Sequence, residues 1–411
     1  MDDPVILEER DGIALLRLDA GPGNILTVEV VEPLLSAVSA LSMGVDLRGV
    51  ILAGRPDAFS AGIDRVDAEA PREALSTLTR LIAEMNMPVV AALEGPALAE
   101  GAELALACDA IVAAPEVVVA LPQVLAGEVP SPFVAQRLAQ RLPTATALAM
   151  LCLGRGQSAD HADALFTKVA DDPVASARAL IEASFEVPGA RPVDATAVRR
   201  FRARHPEVAG PALWLAEAVT ALAEDEAAGQ AAFESALDRC AEDPLAANLR
   251  ALFRAERAAP PDLLHRDGRG FRLGPRGVAI AQVLNAARSR AVAALEAREM
   301  LDDDMSRRMR DACDLLDRDL SVEARMRLLA ALVSAGAKLV ARDKAKGPEE
   351  VDLVAVHALG FPRISGGPMR AALRGGLKPL VEQMKRWTAD DPVWEPSAWL
   401  LRESISRLRD G

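Results

Sequence analysis

Two stretches place small residues and carboxylates where a strand gives way to a helix. The first is Ala58-Phe59-Ser60-Ala61-Gly62-Ile63-Asp64, soon after the apolar run Val50-Ile51-Leu52. The second begins Gly95-Pro96-Ala97-Leu98-Ala99-Glu100-Gly101-Ala102-Glu103 and continues to Asp109, soon after Val89-Val90-Ala91-Ala92. Small residues at a strand end let backbone N–H groups approach a ligand closely. The second stretch then enters a helix, whose first turn offers unpaired N–H donors and the positive end of the dipole. Two such donors converging on one carbonyl oxygen would stabilise an enolate. Either stretch alone reads as an ordinary strand-to-helix turn; their order and separation together suggest one site.

Other chemistry-bearing residues say less. Asp64 and Glu128 read as solvated or helix-capping carboxylates, and Glu100 stands open between a structural and a catalytic role. His161, His205, His265 and His357 form no ligand or triad spacing, and there is no G-x-S-x-G, phosphate-loop or zinc pattern.

The elements that must hold these residues fall into two regimes. Over 1–170 strand-like and helix-like segments alternate: Gly12–Leu18, a helical spacing of Val31, Leu34, Leu35, Val38 and Leu41, then Val50–Leu52, a helix near Leu75–Met85, Val89–Ala92, Ala110–Ala113 and Val117–Leu121. Such alternation predicts an α/β domain with mainly parallel sheet. From about residue 175 helical periodicity takes over, as at Ala212–Cys240 and Met326–Val340. Pro260-Pro261 and Gly268, Gly270 and Gly274 mark Ala258–Pro275 as a linker. Beyond it, 283–309 can be laid on 327–355 as two units of long helix, turn and second helix.

Composition narrows the partners. The chain has 411 residues, room for two or three domains, and a net charge of −13 that argues against nucleic acid. No apolar stretch is long enough to span a bilayer, and Met1-Asp2-Asp3-Pro4 is acidic where a secretory signal would be basic. Cys108, Cys152, Cys240 and Cys313 fit neither a zinc spacing nor a disulfide framework, so a reducing cytoplasm is expected.

The two stretches resemble the signature elements of the enoyl-CoA hydratase/isomerase (crotonase) family, A-F-x-A-G-x-D and G-x-A-x-G-G-G-x-E-L-A-L-A-C-D. The likeness continues to about Val169, through Gln136-Arg137-Leu138 and Gly154, Ser158, Ala159 and Ala164. It implies a spiral of ββα turns with an acyl-CoA thioester between the two elements. The implied oxyanion donors are the backbone N–H groups of Ile63 and Glu100, with Glu103 as first catalytic carboxylate. The Ala61 carbonyl would lie near the adenine of CoA, with Gly62 and Asp64 beside it in the CoA-binding loop. Three departures stand out. Pro122-Gln123 replaces the family's P-E, so Gln123 occupies the second catalytic position without a proton to donate. Ala99-Glu100-Gly101 replaces three glycines and puts a carboxylate near the developing oxyanion. Pro130-Ser131-Pro132-Phe133-Val134 replaces P-G-x-G-G and must reshape the pocket wall.

Val351–Pro362 with Gly366-Gly367-Pro368 reads physically as a helix stopped by Gly360 and Pro362, followed by a turn. It also resembles the end of the bacterial multifunctional fatty-acid oxidation α-subunit, as do Gly376-Leu377-Lys378 and Trp394-Glu395-Pro396. Leu249–Arg257 resembles that protein's linker helix, but no G-x-G-x-x-G follows, so no NAD is expected. The expected fold class is α/β then all-α. It comprises a crotonase-like ββα spiral domain over 1–185, a helical linker over 186–275, and a helical domain over 276–411 resembling the C-terminal domain of 3-hydroxyacyl-CoA dehydrogenase. The expected activity is hydratase/isomerase-type chemistry on an enoyl-CoA with Glu103 as lone acid/base, coenzyme A entering only as part of the substrate and no metal taking part. The alternative is a non-catalytic acyl-CoA-binding or scaffold relative that docks a β-oxidation partner.

Overall fold

The computed structural model describes residues 3–44, 46–64, 71–161, 164–187, 189–267 and 270–406. They form two compact units, Met1–Asp243 and Pro244–Gly411.

The first unit contains strands β1 (Val5–Arg10), β2 (Ile13–Leu18), β3 (Gly49–Ala53), β4 (Val89–Leu93), β5 (Ala97–Leu98), β6 (Ala110–Ala113), β7 (Val118–Ala120), β8 (Gln157–Ser158) and β9 (Lys168–Val169). The main sheet runs β1-β2-β3-β4-β6-β9, antiparallel at β1 and parallel from β2 onward. β3, β4 and β6 are buried along their whole length. This explains why they read as unbroken apolar runs rather than alternating ones. A smaller sheet, β5-β7-β8, lies beside it, and a bridge pairs Ser60 with Ala97. Successive turns therefore place a strand in the main sheet, a short extended piece in the second, and then a helix: the ββα spiral the resemblance implies.

The helices of this unit are α1 (Val28–Ser42), α2 (Arg72–Ala83), α3 (Glu100–Ala107), α4 (Pro132–Arg141), α5 (Thr144–Leu153), α6 (Pro173–Glu182), α7 (Ala195–Arg204), α8 (Pro211–Leu222) and α9 (Glu226–Glu242). Ala177 and Ile181 of α6 close a core with Ile13, Leu15, Ile51, Ala53, Val90, Ala92, Ala110 and Val112. α7 and α8 pack on α5, and α9 packs on α4 and α8. The compact first unit thus reaches Asp243, well past the 185 expected for the α/β domain. The apolar periodicity of 195–242 is real, and Trp214, Leu215, Val219 and Phe233 are buried within the first unit. Ala212–Cys240 is also two helices, parted where Asp225 caps α9 by accepting from Ala228 N at 2.8 Å.

The second unit begins with α10 (Pro244–Ala258) and continues with β10 (Leu264–Asp267), β11 (Gly270–Leu273), α11 (Pro275–Glu296), α12 (Asp303–Asp311), α13 (Val322–Ala341), α14 (Pro348–Leu359), α15 (Pro368–Gly375), α16 (Leu377–Trp387) and α17 (Ala398–Ser406). The expected linker Ala258–Pro275 holds an antiparallel hairpin, β10 with β11. The repeat appears as α11 with α12 and α13 with α14. α13 is buried around most of its circumference and forms the axis of this core.

The Gly366-Gly367-Pro368 segment is a structural lock. Asp352, 6 % exposed on α14, accepts from Met369 N at 2.6 Å and from Arg370 N at 3.1 Å, both at the open N-terminus of α15. Gly367 has φ +101°, and a Cβ there would lie 2.3 Å from Asp352 Cβ. Burial pushes the Asp352 carboxyl up from its ordinary value against those hydrogen bonds. Gly367→Ala and Asp352→Ala should each destabilise the second unit by about 2 kcal/mol or more, from strain or stranded donors. Asp352→Asn keeps an acceptor for one of the two N–H groups, and loses the buried charge, so it should cost less than Asp352→Ala, about 1 kcal/mol. Denaturant unfolding checks the order; Asn as damaging as Ala would contradict it.

Candidate functional site

Backbone contacts build the site first. Asn24, fully buried in the β2–α1 connection, donates through Nδ2 to Leu18 O, Ala58 O and Phe59 O at 3.0, 3.2 and 3.2 Å. Its Oδ1 accepts from Ala20 N at 2.8 Å. Ser60 Oγ donates to Asn24 O at 2.8 Å and accepts from Gly62 N at 3.0 Å. Ala61 N donates to Gly23 O and Leu26 N to Gly62 O, so the 58–62 loop is held on both sides. α3 then presses on this loop: a Cβ at Gly101 would lie 2.4 Å from Ser60 O. Only glycine permits that approach, which brings the two predicted stretches into one site.

Ala99 caps α3 with φ 54° and ψ −122°, a conformation an alanine adopts only at a cost of about 1–3 kcal/mol. The neighbouring bonds hold it there, Ala99 N donating to Ala120 O at 2.9 Å and Glu103 N to Ala99 O at 3.0 Å.

The carboxylates show what this site differs in. Glu100 is 8 % exposed, and its Oε2 accepts the backbone N–H of Ile63 at 3.2 Å. One of the two expected oxyanion donors is thus engaged by the side chain of the other. The close fit around it is evident at Gly62, where a Cβ would lie 2.6 Å from Glu100 Oε2. Glu103, 6 % exposed, accepts from Gln123 Nε2 at 2.8 Å and from Ser131 N at 3.2 Å. Gln123 sits in the short 3-10 turn Pro122–Ala126 and is 1 % exposed. Among the described residues, Gln123 Oε1 and Ser131 Oγ are buried without a hydrogen-bond partner.

Of the sequence-derived residues, Ile63 and Glu100 therefore meet directly, and so do Glu103 and Gln123. Ala61, Gly62 and Asp64 share the loop that leads to Ile63. Glu128 forms an ion pair with Arg72 at 3.2 Å. Cys108 is fully buried, where desolvation pushes its thiol up to about 12, so it is no nucleophile. His205 pairs with Glu207 and His357 with Glu256, as structural contacts. Two contributors escaped the sequence reading. Asn24 had only the nearby Gly21-Pro22-Gly23 turn as a signal, and the Ser131 N–H sits in a segment recognised only as altered.

Part of the chain is similar to known proteins. Residues 8–177 match the family model described as enoyl-CoA hydratase/isomerase. The peroxisomal fatty acid beta-oxidation multifunctional protein of Arabidopsis thaliana is 30% identical over 161 residues, 37% of this chain and 22% of the relative. A peroxisomal bifunctional enzyme of Pongo abelii is 27% identical over 217 residues, 48% of this chain and 30% of the relative. The matched stretch thus spans less than a third of either protein. Among solved structures, a carnitinyl-CoA hydratase from Mycobacterium avium is 20% identical with a TM-score of 0.47, covering 62% of this chain and 96% of its own. The ββα spiral and the paired loops thus lie largely within residues 8–177, the stretch that is similar to the enoyl-CoA hydratase/isomerase family.

Proposed function

We propose that the first unit binds an enoyl-CoA thioester and moves a proton on it, with Glu103 as the only acid/base. The observation that carries this reading is the setting of Glu103, a buried carboxylate whose two oxygens face the N–H groups of Gln123 and Ser131. Those donors fix the direction of the carboxyl group, as a base requires. The thioester oxygen would take the N–H groups of Ile63 and Glu100, which requires the Glu100 carboxylate to leave Ile63. Glu103 would then remove a proton next to the polarised carbonyl and return it two carbons away, shifting the double bond. One carboxylate suffices for that transfer. Hydration also needs a second acid/base to handle water, and the Gln123 amide does not titrate. Isomerisation or a related proton transfer is therefore the favoured chemistry, with coenzyme A as part of the substrate and neither NAD nor a metal taking part. No helix among the described residues is long and apolar enough to cross a membrane. A cytoplasmic setting is part of the proposal on the reading of the four cysteines as unpaired thiols, whereas the curated relatives are named as peroxisomal.

A second reading has its own observation. Glu100 puts a carboxylate on Ile63 N–H, where a thioester oxygen would have to sit. A chain that keeps this contact with ligand present would be an acyl-CoA-binding or scaffold relative, with a β-oxidation protein as partner.

Two measurements separate the readings. Purified protein should convert a 3-enoyl-CoA to the conjugated 2-enoyl-CoA, seen as a gain in thioester absorbance, and Glu103→Gln should lower the rate at least about 100-fold while still binding the thioester. Unchanged turnover in that variant would remove Glu103 from the mechanism. Glu100→Ala frees Ile63 N–H from an internal competitor and should tighten binding of an acyl-CoA by about tenfold in calorimetry. Weaker binding would show that the Glu100 side chain supports the ligand rather than competes with it.

A further inference from the structure

The second unit carries a groove of about 710 Å³ between the first half of α11 and the end of α13. From Arg276 to Val283 it follows α11 for two turns, about 10 Å. Ala279, Ile280 and Val283 share one face of that helix and form an apolar floor with Leu339. Val283 is 43 % exposed, an aliphatic side chain left in water. On the α13 side stand Lys338 and Arg342, one turn apart, with Lys344 just beyond the helix end. Among the described residues, none of these three side chains has an ion pair or hydrogen-bond partner, and Asp343, between the last two in sequence, pairs with neither. Arg276 is different: it is held by Asp262, Nε to Oδ2 at 2.8 Å, and by Glu350. The negative end of α13 accounts for Lys338 in its last turn. It does not account for Arg342 and Lys344 following without a paired carboxylate in a chain of net charge −13. Over 244–411 Lys and Arg outnumber Asp and Glu, the reverse of 1–243.

We propose that this groove docks an acidic amphipathic helix of a partner protein. The helix lays apolar residues on Ala279, Ile280, Val283 and Leu339 and turns carboxylates along one flank toward Lys338, Arg342 and Lys344. Two features of the groove select this occupant. Its apolar floor follows a helix axis for two turns, which suits side chains recurring at helical spacing. Its cations are spread along one wall, and their mutual repulsion is relieved by several carboxylates rather than one. A ligand with a single anionic head, such as a fatty-acid carboxylate, would engage one cation and leave the others unpaired. The surface lies in the second unit, and its occupant is a protein rather than the thioester proposed for the first.

Fluorescence anisotropy tests the proposal, using the full chain and a labelled synthetic helical peptide with Leu along one face and Glu along the flanking edge. The peptide should bind, with affinity falling at least about tenfold between about 50 and 500 mM salt. The same peptide with Lys in place of Glu should not bind. Lys338→Glu, Arg342→Glu and Lys344→Glu together should weaken binding of the Glu peptide at least about tenfold, and Val283→Asp at least about threefold. No binding of the Glu peptide, equal binding of the two peptides, or unchanged binding in both variants would overturn the docking surface. Displacement of the peptide by dodecanoate would also overturn it and give the groove to a small anionic amphiphile. The comparison of the two peptides on wild-type protein decides even where a variant fails to fold.

Discussion

The first unit depends on a backbone contact in which α3 rests directly on the 58–62 loop. Gly101 has no room for a Cβ against Ser60 O, and Leu98 N donates to that same oxygen at 2.9 Å. From this contact follow the approach of Ile63 to Glu100, the placement of Glu103 one turn further along α3, and the strained backbone at Ala99. Asn24 supports it from below by tying three carbonyls of the β2 end and the loop to a single side chain. None of these contacts is long-range electrostatics. They are close backbone packing, which tolerates little displacement.

On this frame the chain has exchanged glycine for carboxylate at position 100, and a carboxylate for an amide at position 123 relative to the family pattern. The first change puts the carboxyl group of the first residue of α3 on the backbone N–H of Ile63 in the facing loop. The second leaves Glu103 as the sole titratable partner of the pair and turns its neighbour into a hydrogen-bond donor. Together they leave one carboxyl group where the family pattern has two, which is why the proposed chemistry is proton transfer by Glu103 alone, with a thioester taking the place of Glu100 on Ile63.

Much of this was legible in the sequence, and the reasons differ by residue. Val50–Leu52 and Val89–Ala92 announced themselves because strands buried on both faces must be apolar throughout. The loops at 58–64 and 95–103 were legible because close backbone approach needs small residues in a fixed order. The Glu100 contact with Ile63 was not, because a motif of backbone positions says nothing about where a new side chain turns. Helices over 195–242 were visible as periodicity, but periodicity does not say which surface they cover, so their membership of the first unit went unread. The β10–β11 hairpin was hidden by its composition: Leu264-His265-Arg266-Asp267 has no apolar alternation, and Pro260-Pro261 with the nearby glycines imitates a linker.

The most direct test of a lone Glu103 base is hydrogen exchange at the α-carbon of a saturated acyl-CoA in deuterium oxide, followed by mass spectrometry. This reads proton removal and return without a double bond, water addition or any second acid. The account predicts deuterium incorporation at the α-carbon with the wild-type protein and none above background with Glu103→Gln. No incorporation by wild-type protein that demonstrably binds the thioester would contradict it, and would make the site a binding module held closed by its own carboxylate.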